Sequence, residues 1–519
     1  MKNNTKIYKR TTRSFSRERN KTEKNIDGGW AWVVLAVAFC SFAITSSLFY
    51  SFGILYSVFL EEFKESRSST AWIGSLNGAF FQISGPIGSV IIVKRGCRSA
   101  VMLGGLICTV GYLFSAFSTH VWHLYIFYGI VVANVEVVKT SRQQFEKETF
   151  GFNLVYTGLV VSLGQHFQKR YSLAMGLSMA GSGIGLLTIG PAIQALINKF
   201  GWRDMLILDG GLTLHYVIAG ALLFPMTDKP LPPAQEVSLI GRCGCSKFSD
   251  SLRKSEQKNG KFSVFPTCRK SQICSTYTRG RLIFVDVVTI AVLLYRCLSL
   301  SSFFWILGGL TVIIICKDFA VSRGFGDSYI LALMALGSGD IVGRLLGGVV
   351  ASSNRVNIVF YYTMAMIACS SVILNYMSIS NATGLILLST FFGFFYGQQS
   401  VLLPLVPVKL YGADKLATTF GFILFTAGFG SLIGPPVAGW IVDKTRSYDG
   451  AFSFAGICNL QAAVCMFIIY AIIKFQNNKK TAHYMLLDPE NPEESDQLIN
   501  WTNNDSNNAV IVFNAISYV

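Results

Sequence analysis

The sequence is poor in charged residues and lacks the motifs on which enzymes depend. Only 14% of its 519 residues are charged, against roughly 25% in soluble domains. Its five histidines are scattered, and we find no nucleotide-binding loop, hydrolase motif or metal-ligand spacing. The closest cysteine group (Cys243, Cys245, Cys268 and Cys274) is irregularly spaced, so a reduced loop is favoured over a zinc site. These absences argue against a soluble enzyme and indicate neither a cofactor nor a metal.

Long apolar runs dominate the chain instead. Hydrophobic residues make up 51% of it, and runs of about 20 residues are long enough to cross a bilayer as helices. Six runs precede the polar stretch 226–297 and six follow it, which predicts an all-α membrane protein with twelve transmembrane helices in two six-helix halves. The expected spans lie near 31–55, 72–93, 101–119, 122–164, 172–194, 204–224, 299–317, 328–352, 357–378, 383–406, 416–440 and 450–474.

The net charge of +16 is distributed as in a membrane protein rather than a nucleic-acid-binding protein. Basic residues crowd the N-terminal arm, short loops such as those at Lys94 and Lys169, and the middle segment. This pattern predicts that these segments and both termini are cytoplasmic, in a multi-pass protein of the plasma membrane. The arm has no apolar core with a cleavage site, so we expect no signal peptide and targeting by the first span.

The chain divides into five segments. They are a basic cytoplasmic arm at 1–26, the first half at 27–227, a cytoplasmic middle loop at 228–297, the second half at 298–475 and a disordered acidic tail at 476–519. Within the loop, 281–297 is interpreted as an interfacial helix. Residues 134–149 place six charges inside the fourth run and are interpreted as an insertion, since deleting them would leave one helix of ordinary length. The alternative is two spans flanking a polar loop.

Asp340 and Arg344 place two opposite charges inside the eighth apolar run. Charges at bilayer depth cost at least about 2.5 kcal/mol and usually face a cavity or each other. Residues spaced i, i+4 share one helix face, so we expect an ion pair. It either joins helices or forms a site for an anion that competes for Arg344. We predict the second: the substrate carboxylate binds Arg344, and Asp340 holds Arg344 in the empty site.

Several strings resemble the signature motifs of the monocarboxylate transporter family within the major facilitator superfamily, over about 27–227 and 298–475. They are Asp27-Gly28-Gly29-Trp30-Ala31-Trp32, Phe167 to Gly176 with Lys169 and Arg170, Ala180 to Gly185 with Gly181, Asp340 with Arg344, and Gly434 to Trp440 followed by Asp443 and Tyr448. The resemblance implies a major facilitator fold, transport of a small organic acid by alternating access and a single-pass immunoglobulin-type ancillary subunit. Read physically, the Asp27, Lys169 and Gly181 motifs favour structural or gating roles over substrate contact.

One position departs from the family. Proton-coupled members place a lysine deep in the first helix, where this chain has Tyr50. A tyrosine donates a hydrogen bond to a carboxylate but does not carry a proton as a charged relay near neutral pH. Tyr50 therefore remains a candidate substrate contact, while proton linkage is left open. An uncoupled facilitator of a neutral or zwitterionic solute is the alternative, and a non-transporting receptor or scaffold is the alternative of another class.

A few further residues are candidates on weaker grounds. Gln398 in the tenth span is expected to line the cavity, and His215 in the sixth is a candidate proton relay. Asp209 is expected to pair with Arg203 near the membrane surface. The C-terminal residues Ser517 to Val519 could bind a PDZ domain. The remaining expected partners are the lipid bilayer and the organic acid.

Overall fold

The computed structural model describes residues 27–50, 52–65, 67–131, 151–224, 270–353 and 355–487, and its regular structure there is helical. The helices are α1 (Trp30–Tyr50), α2 (Phe52–Phe63), α3 (Arg67–Ile83), α4 (Gly85–Ala116), α5 (Val121–Leu124), α6 (Gly151–His166), α7 (Tyr171–Phe200), α8 (Trp202–Thr213), α9 (His215–Leu222), α10 (Lys270–Ser322), α11 (Tyr329–Ser352), α12 (Ile358–Asn375), α13 (Ala382–Tyr411), α14 (Leu416–Thr445) and α15 (Asp449–Leu487). A π-helix, Tyr125–Val131, continues α5.

The chain separates into two compact units. One contains Met1–Met226 and Leu294–Val519, and the other contains Thr227–Leu293. All helices discussed below lie in the first unit, α10 from Leu294 onward. The two expected halves therefore form one helical unit.

Ten helices or helix pairs among the described residues are long and apolar enough to cross a membrane. The other two expected spans are present but interrupted. The second is broken at Ser84, because Pro86 lacks the N–H that would continue the helical hydrogen bonds, and it resumes as the start of α4. Gly96, at φ 81°, then separates the second span from the third within α4. The fourth comprises α5, the π-helix and α6. The prediction of an all-α membrane protein is therefore confirmed, with ten candidate spans among the described residues.

Some helix ends differ from the expected ones. Helix α10 begins at Lys270, so 281–297 is part of one continuous helix that leads into the seventh span. Helix α15 continues to Leu487, beyond the predicted start of the tail at 476, since no proline follows Asp449 until Pro489. The suspected insertion 134–149 lies outside the described residues.

Helix α11 occupies a central position in the bundle. It packs along α7 of the first half and α13 of its own half, while α3 packs on α14. The pairs α7–α11 and α3–α14 join the two halves. These two contacts define the interface at which a cavity forms.

Candidate functional site

A cavity of about 110 Å³ lies between the two halves. Its wall is built from α1, α3 and α6 of the first half and from α10, α11, α13 and α14 of the second. Most of that wall is apolar or aromatic, with Phe42, Phe81 and Trp305 among its residues, and its polar side chains include Gln82 and Arg344. A mostly apolar cavity with a few convergent polar groups is typical of a small-molecule site.

Arg344 carries the one charged side chain among the described residues that line this cavity. Its Nε donates hydrogen bonds to Asp340 Oδ1 at 2.8 Å and Oδ2 at 2.7 Å. Asp340 is only 3% exposed and Arg344 only 5% exposed. The predicted ion pair is therefore formed inside the bundle, with Asp340 behind Arg344 and not itself on the cavity wall.

A third residue from the other half completes this group. Ser182 Oγ on α7 lies 3.0 Å from Asp340 Oδ2 and 2.8 Å from the Met179 carbonyl oxygen, so its single proton is shared between two acceptors. The Ser182 contact joins the first half to the ion pair of the second. The sequence did not predict this contact. Ser182 lies in a segment of small residues on α7, and nothing in that pattern indicates that its hydroxyl bonds to Asp340.

Glycines bring α11 close enough to its neighbours to bury the pair. A Cβ on Gly343 would collide with the Phe394 carbonyl of α13, and one on Gly339 with the Thr390 carbonyl. On the opposite side, a Cβ on Gly183 of α7 would lie 2.6 Å from the Gly337 carbonyl oxygen. Such small-residue contacts let helix backbones touch, so the charged face of α11 meets protein rather than lipid.

Trp305 supplies a second candidate donor on the cavity wall. Its indole Nε1 is buried and has no hydrogen-bond partner among the described residues. The indole stacks on Tyr396 with the ring centroids 5.3 Å apart, which holds its orientation. Tyr156 lies on the same wall and interacts electrostatically with Arg344. The sequence offered no signal for either residue, since both lie in apolar runs that look like ordinary core.

Two of the other predicted residues, Gln398 and His215, are not among the described residues that line this cavity. Gln398 is buried against Gly347 of α11 and is not among the lining residues. His215 is exposed on the outside of the bundle, where its Nδ1 lies 3.1 Å from the Leu212 carbonyl oxygen. Tyr50 is the last residue of α1, and its side chain lies outside the described part of the structure.

Asp27 caps a helix, but not the helix that follows it in sequence. Its carboxylate accepts hydrogen bonds from the backbone N–H groups of Gln168 at 3.1 Å, Lys169 at 3.0 Å and Arg170 at 3.2 Å. These residues immediately precede α7, where unpaired N–H groups and the positive end of the helix dipole favour a carboxylate. The two signature motifs are therefore bound to each other at this end of the bundle.

The neighbouring motif residues support that contact. Trp30 Nε1 donates to the Leu222 carbonyl oxygen at 3.1 Å, and Trp32 packs edge-on against Phe167. Gly28 and Gly29 form the turn between Asp27 and α1, with Gly29 at φ 57°. Further along α7, a Cβ on Gly181 would collide with the Phe39 carbonyl of α1. These contacts place the motif residues in helix packing, away from the cavity wall.

The expected pairing of Asp209 with Arg203 is wrong. Arg203 Nη1 pairs with Glu62 Oε1 at 3.3 Å on the surface. Asp209, on the inner face of α8, is 2% exposed, and its Oδ1 has no hydrogen-bond partner among the described residues. Six residues along a helix place the two side chains on different faces, which the sequence interpretation overlooked.

This fold agrees with what comparison to known proteins shows. Residues 149–427 match the Major Facilitator Superfamily, and the chain belongs to that family. It is therefore a multi-pass membrane transport protein rather than an enzyme.

Curated relatives narrow the resemblance further. The chain is 28% identical over 449 residues to monocarboxylate transporter 12 of Mus musculus, covering 85% of each chain. It is 26% identical over 480 residues to monocarboxylate transporter 9 of Gallus gallus, covering 84% of this chain and 91% of that one. The predicted resemblance to monocarboxylate transporters is confirmed.

Among solved structures, the fold is similar to the crystal structure of the human organic anion transporter MFSD10 (TETRAN). The match has a TM-score of 0.58 at 12% identity and covers 85% of this chain and 100% of that chain. At this identity the similarity concerns the fold alone.

Proposed function

We propose that the protein transports a monocarboxylate or related small organic acid by alternating access. The observation that carries this proposal is the placement of Arg344, a buried cation held by Asp340 on the wall of a cavity between the two halves. An intramembrane cation that faces a cavity is typical of an anion site. The curated relatives, named as monocarboxylate transporters, support the same substrate class.

Arg344 would bind the substrate carboxylate through charge-assisted hydrogen bonds. A guanidinium has five N–H donors in a planar fork, and its Nε is directed at Asp340 here. The buried Trp305 N–H on the same wall offers another donor to a carboxylate oxygen. The aromatic residues around both donors suit a short apolar substituent. The charge of Arg344 would thus select a carboxylate, and the aromatic wall would limit the size of the group attached to that carboxylate.

Alternating access would proceed by rocking of the halves about the cavity. On the side of the basic loops, Ser89 Oγ of α4 donates to the Ala417 carbonyl oxygen of α14 at 2.6 Å. On the opposite side, a Cβ on Gly53 of α2 would lie 3.0 Å from the Tyr329 hydroxyl oxygen of α11. The halves therefore touch on both sides of the cavity, and opening either contact would expose it to one side.

The second candidate is uncoupled transport of a neutral or zwitterionic solute. The largely aromatic wall, with Phe42, Phe49 and Phe81, favours it, because these side chains contact apolar groups regardless of net charge. Under this alternative Arg344 would orient a solute through one polar group only. Removal of the arginine charge separates the two candidates.

Replacing Arg344 with alanine is expected to lower monocarboxylate uptake about tenfold or more, since hydrogen bonds to charged groups contribute about 1.5–3 kcal/mol. Uptake would be measured in proteoliposomes with a panel of short monocarboxylates, neutral amino acids and small polyols. Arg323→Ala is the matched control, because Arg323 pairs with Asp449 on the exposed surface, away from the cavity. Unchanged uptake of every transported monocarboxylate by Arg344→Ala would overturn the proposal.

The membrane placement and the protein partners are also proposals, and they are argued from the sequence. The basic arm and loops favour a cytoplasmic position for both termini, and we propose the plasma membrane as the location. An immunoglobulin-type ancillary subunit, and a PDZ domain at Ser517 to Val519, remain proposals from the sequence, the latter outside the described residues. Co-purification from cells, with and without the last three residues, would test both.

A further inference from the structure

Asp209 is a buried acid for which the proposed anion site has no use. It lies on α8, about 10 Å along the helix from Trp202, and is 2% exposed. Its Oδ1 has no hydrogen-bond partner in the described part of the chain, and Arg203 and Asp204 of the same helix are exposed. Burying an ionised carboxylate without a cation or hydrogen bonds is far more costly than burying the neutral acid. This position therefore suits a group that gains and loses a proton.

Tyrosines from three other elements surround it. Tyr112 of α4, Tyr128 of the π-helix and Tyr216 of α9 each interact electrostatically with Asp209. All three are almost fully buried, and the rings of Tyr112 and Tyr128 meet edge-on at 5.8 Å. Helices α1 and α7 also pack against α8 but, among the described residues, contribute no charged partner. The buried acid thus lies near three hydroxyl groups that are neutral near neutral pH and can donate or accept a hydrogen bond.

One of these tyrosines connects the acid's surroundings with the cavity. The Tyr216 hydroxyl lies 2.8 Å from Thr45 Oγ1, and Thr45 lines the cavity that also contains Arg344. Thr45 in turn donates to the Ser41 carbonyl oxygen at 2.8 Å. Hydroxyl groups therefore extend from the surroundings of Asp209 to the proposed substrate site. A change of charge at Asp209 can therefore alter the hydrogen bonds at the cavity, and a change at the cavity can alter the surroundings of Asp209.

We propose that Asp209 is the proton-carrying residue of this transporter, linked to the cavity through Tyr216 and Thr45. The inference rests on the proposed transport of an organic acid. A proton from the outer medium binds the Asp209 carboxylate as the substrate anion binds Arg344, and both leave on the other side. One anion and one proton move together, so the cycle is electroneutral. Such a cycle couples transport to a proton without a basic residue at the position of Tyr50.

The first test detects the proton itself and requires no substrate. Infrared spectra of the purified protein across a pH series would show a protonated-carboxyl band. The contribution of Asp209 is the difference between the wild-type spectrum and that of Asp209→Asn. The control Asp204→Asn removes an exposed acid of the same helix and is expected to leave the band unchanged. Absence of a band assignable to Asp209 at every pH would overturn the proposal.

The second test measures coupling in proteoliposomes with radiolabelled lactate, pyruvate, acetate and butyrate. An inward proton gradient is expected to raise wild-type uptake severalfold and not to raise that of Asp209→Asn. Exchange of labelled for unlabelled acid, which needs no net proton movement, is expected to persist in Asp209→Asn, since asparagine resembles the protonated acid. Tyr216→Phe, which keeps the ring and removes the hydroxyl, is expected to reduce the gradient effect as a second variant.

The outcomes separate the two proposals. Gradient stimulation that persists in Asp209→Asn, or wild-type exchange without any gradient stimulation, overturns the proton role and leaves organic-acid transport standing. Wild-type vesicles that neither take up nor exchange any of the four acids overturn both. Loss of stimulation in Asp209→Asn with exchange retained, together with the infrared band, supports the role of Asp209.

Discussion

At the scale of single residues, the site depends on how charge is held inside a helical bundle. Asp340 offsets the charge of Arg344, and Ser182 from the other half reaches the same carboxylate. A substrate anion that approaches Arg344 would have to compete with Asp340. The hydroxyl of Ser182 then helps to decide where Asp340 lies when the arginine turns to the substrate. Ser182 is accordingly a positioning residue.

Replacing Ser182 with alanine is expected to weaken substrate affinity about threefold to tenfold, since one hydrogen bond to a carboxylate is lost. Concentration-dependent uptake in proteoliposomes would measure it. The matched control is Ser178→Ala, one turn earlier on α7, whose hydroxyl bonds only to the Met175 carbonyl oxygen at 3.0 Å among the described residues. Equal affinity of Ser182→Ala and Ser178→Ala would contradict the role.

At the scale of helices, two features join elements that are far apart in sequence. The Asp27 carboxylate binds the start of α7, and glycines let α7 and α11 touch. Neither feature contacts the cavity, yet both determine where its walls stand. Variants at these positions should change stability more than substrate selection.

Asp27 lies at φ 62°, a conformation that asparagine and glycine also tolerate, so two substitutions separate charge from hydrogen bonding. Asp27→Gly removes all three bonds to the start of α7, and Asp27→Asn keeps one oxygen acceptor. We expect a loss of about 1 kcal/mol for glycine, the usual net contribution of an intramolecular hydrogen bond, and a smaller one for asparagine. Thermal unfolding in detergent would measure both, with Asp443→Asn as an exposed control. A glycine variant as stable as the wild type would exclude the cap.

Gly183→Ala is expected to push α7 and α11 apart, because its Cβ would lie 2.6 Å from both the Gly337 carbonyl oxygen and Ile341 Cγ1. Overpacking of this kind costs about 1–3 kcal/mol, so the unfolding temperature should fall. The control is Gly439→Ala on α14, where an added Cβ has no atom within 4 Å among the described residues. If Gly183→Ala unfolds at the same temperature as Gly439→Ala, the close contact of α7 with α11 at Gly183 does not contribute to stability.

At the scale of the whole molecule, ten of the expected spans are candidate membrane spans among the described residues, and helices on both sides of residues 132–150 fall within the expected fourth span. The π-helix that ends at Val131 and α6, which begins at Gly151, both contribute to the first half: the π-helix packs on α3, and α6 on α4. Both flanks are therefore part of the bundle, and Tyr156 of α6 lines the cavity. The question left by the sequence is whether transport needs the segment between them.

Deleting residues 134–149 is expected to leave transport intact, because the flanking segments would form one helix of ordinary length. Uptake and cell-surface amount of the shortened protein would be compared with those of the full chain. A deletion of equal length, 151–166, removes α6 with its cavity residues Phe152 and Tyr156 and is expected to abolish uptake. Loss of transport in both deletions would show that 134–149 is a working part of the protein.

The sequence by itself determined the all-helical membrane architecture, the family resemblance and the Asp340–Arg344 pair, because each depends on local signals. Apolar length and i, i+4 spacing act within one segment, and a bilayer leaves few alternatives to a helix. Only the tertiary structure decided that Asp27 caps α7, that Ser182 reaches Asp340 and that Asp209 is isolated from Arg203. These contacts depend on which helix faces pack together, and that is set by shape across the whole bundle.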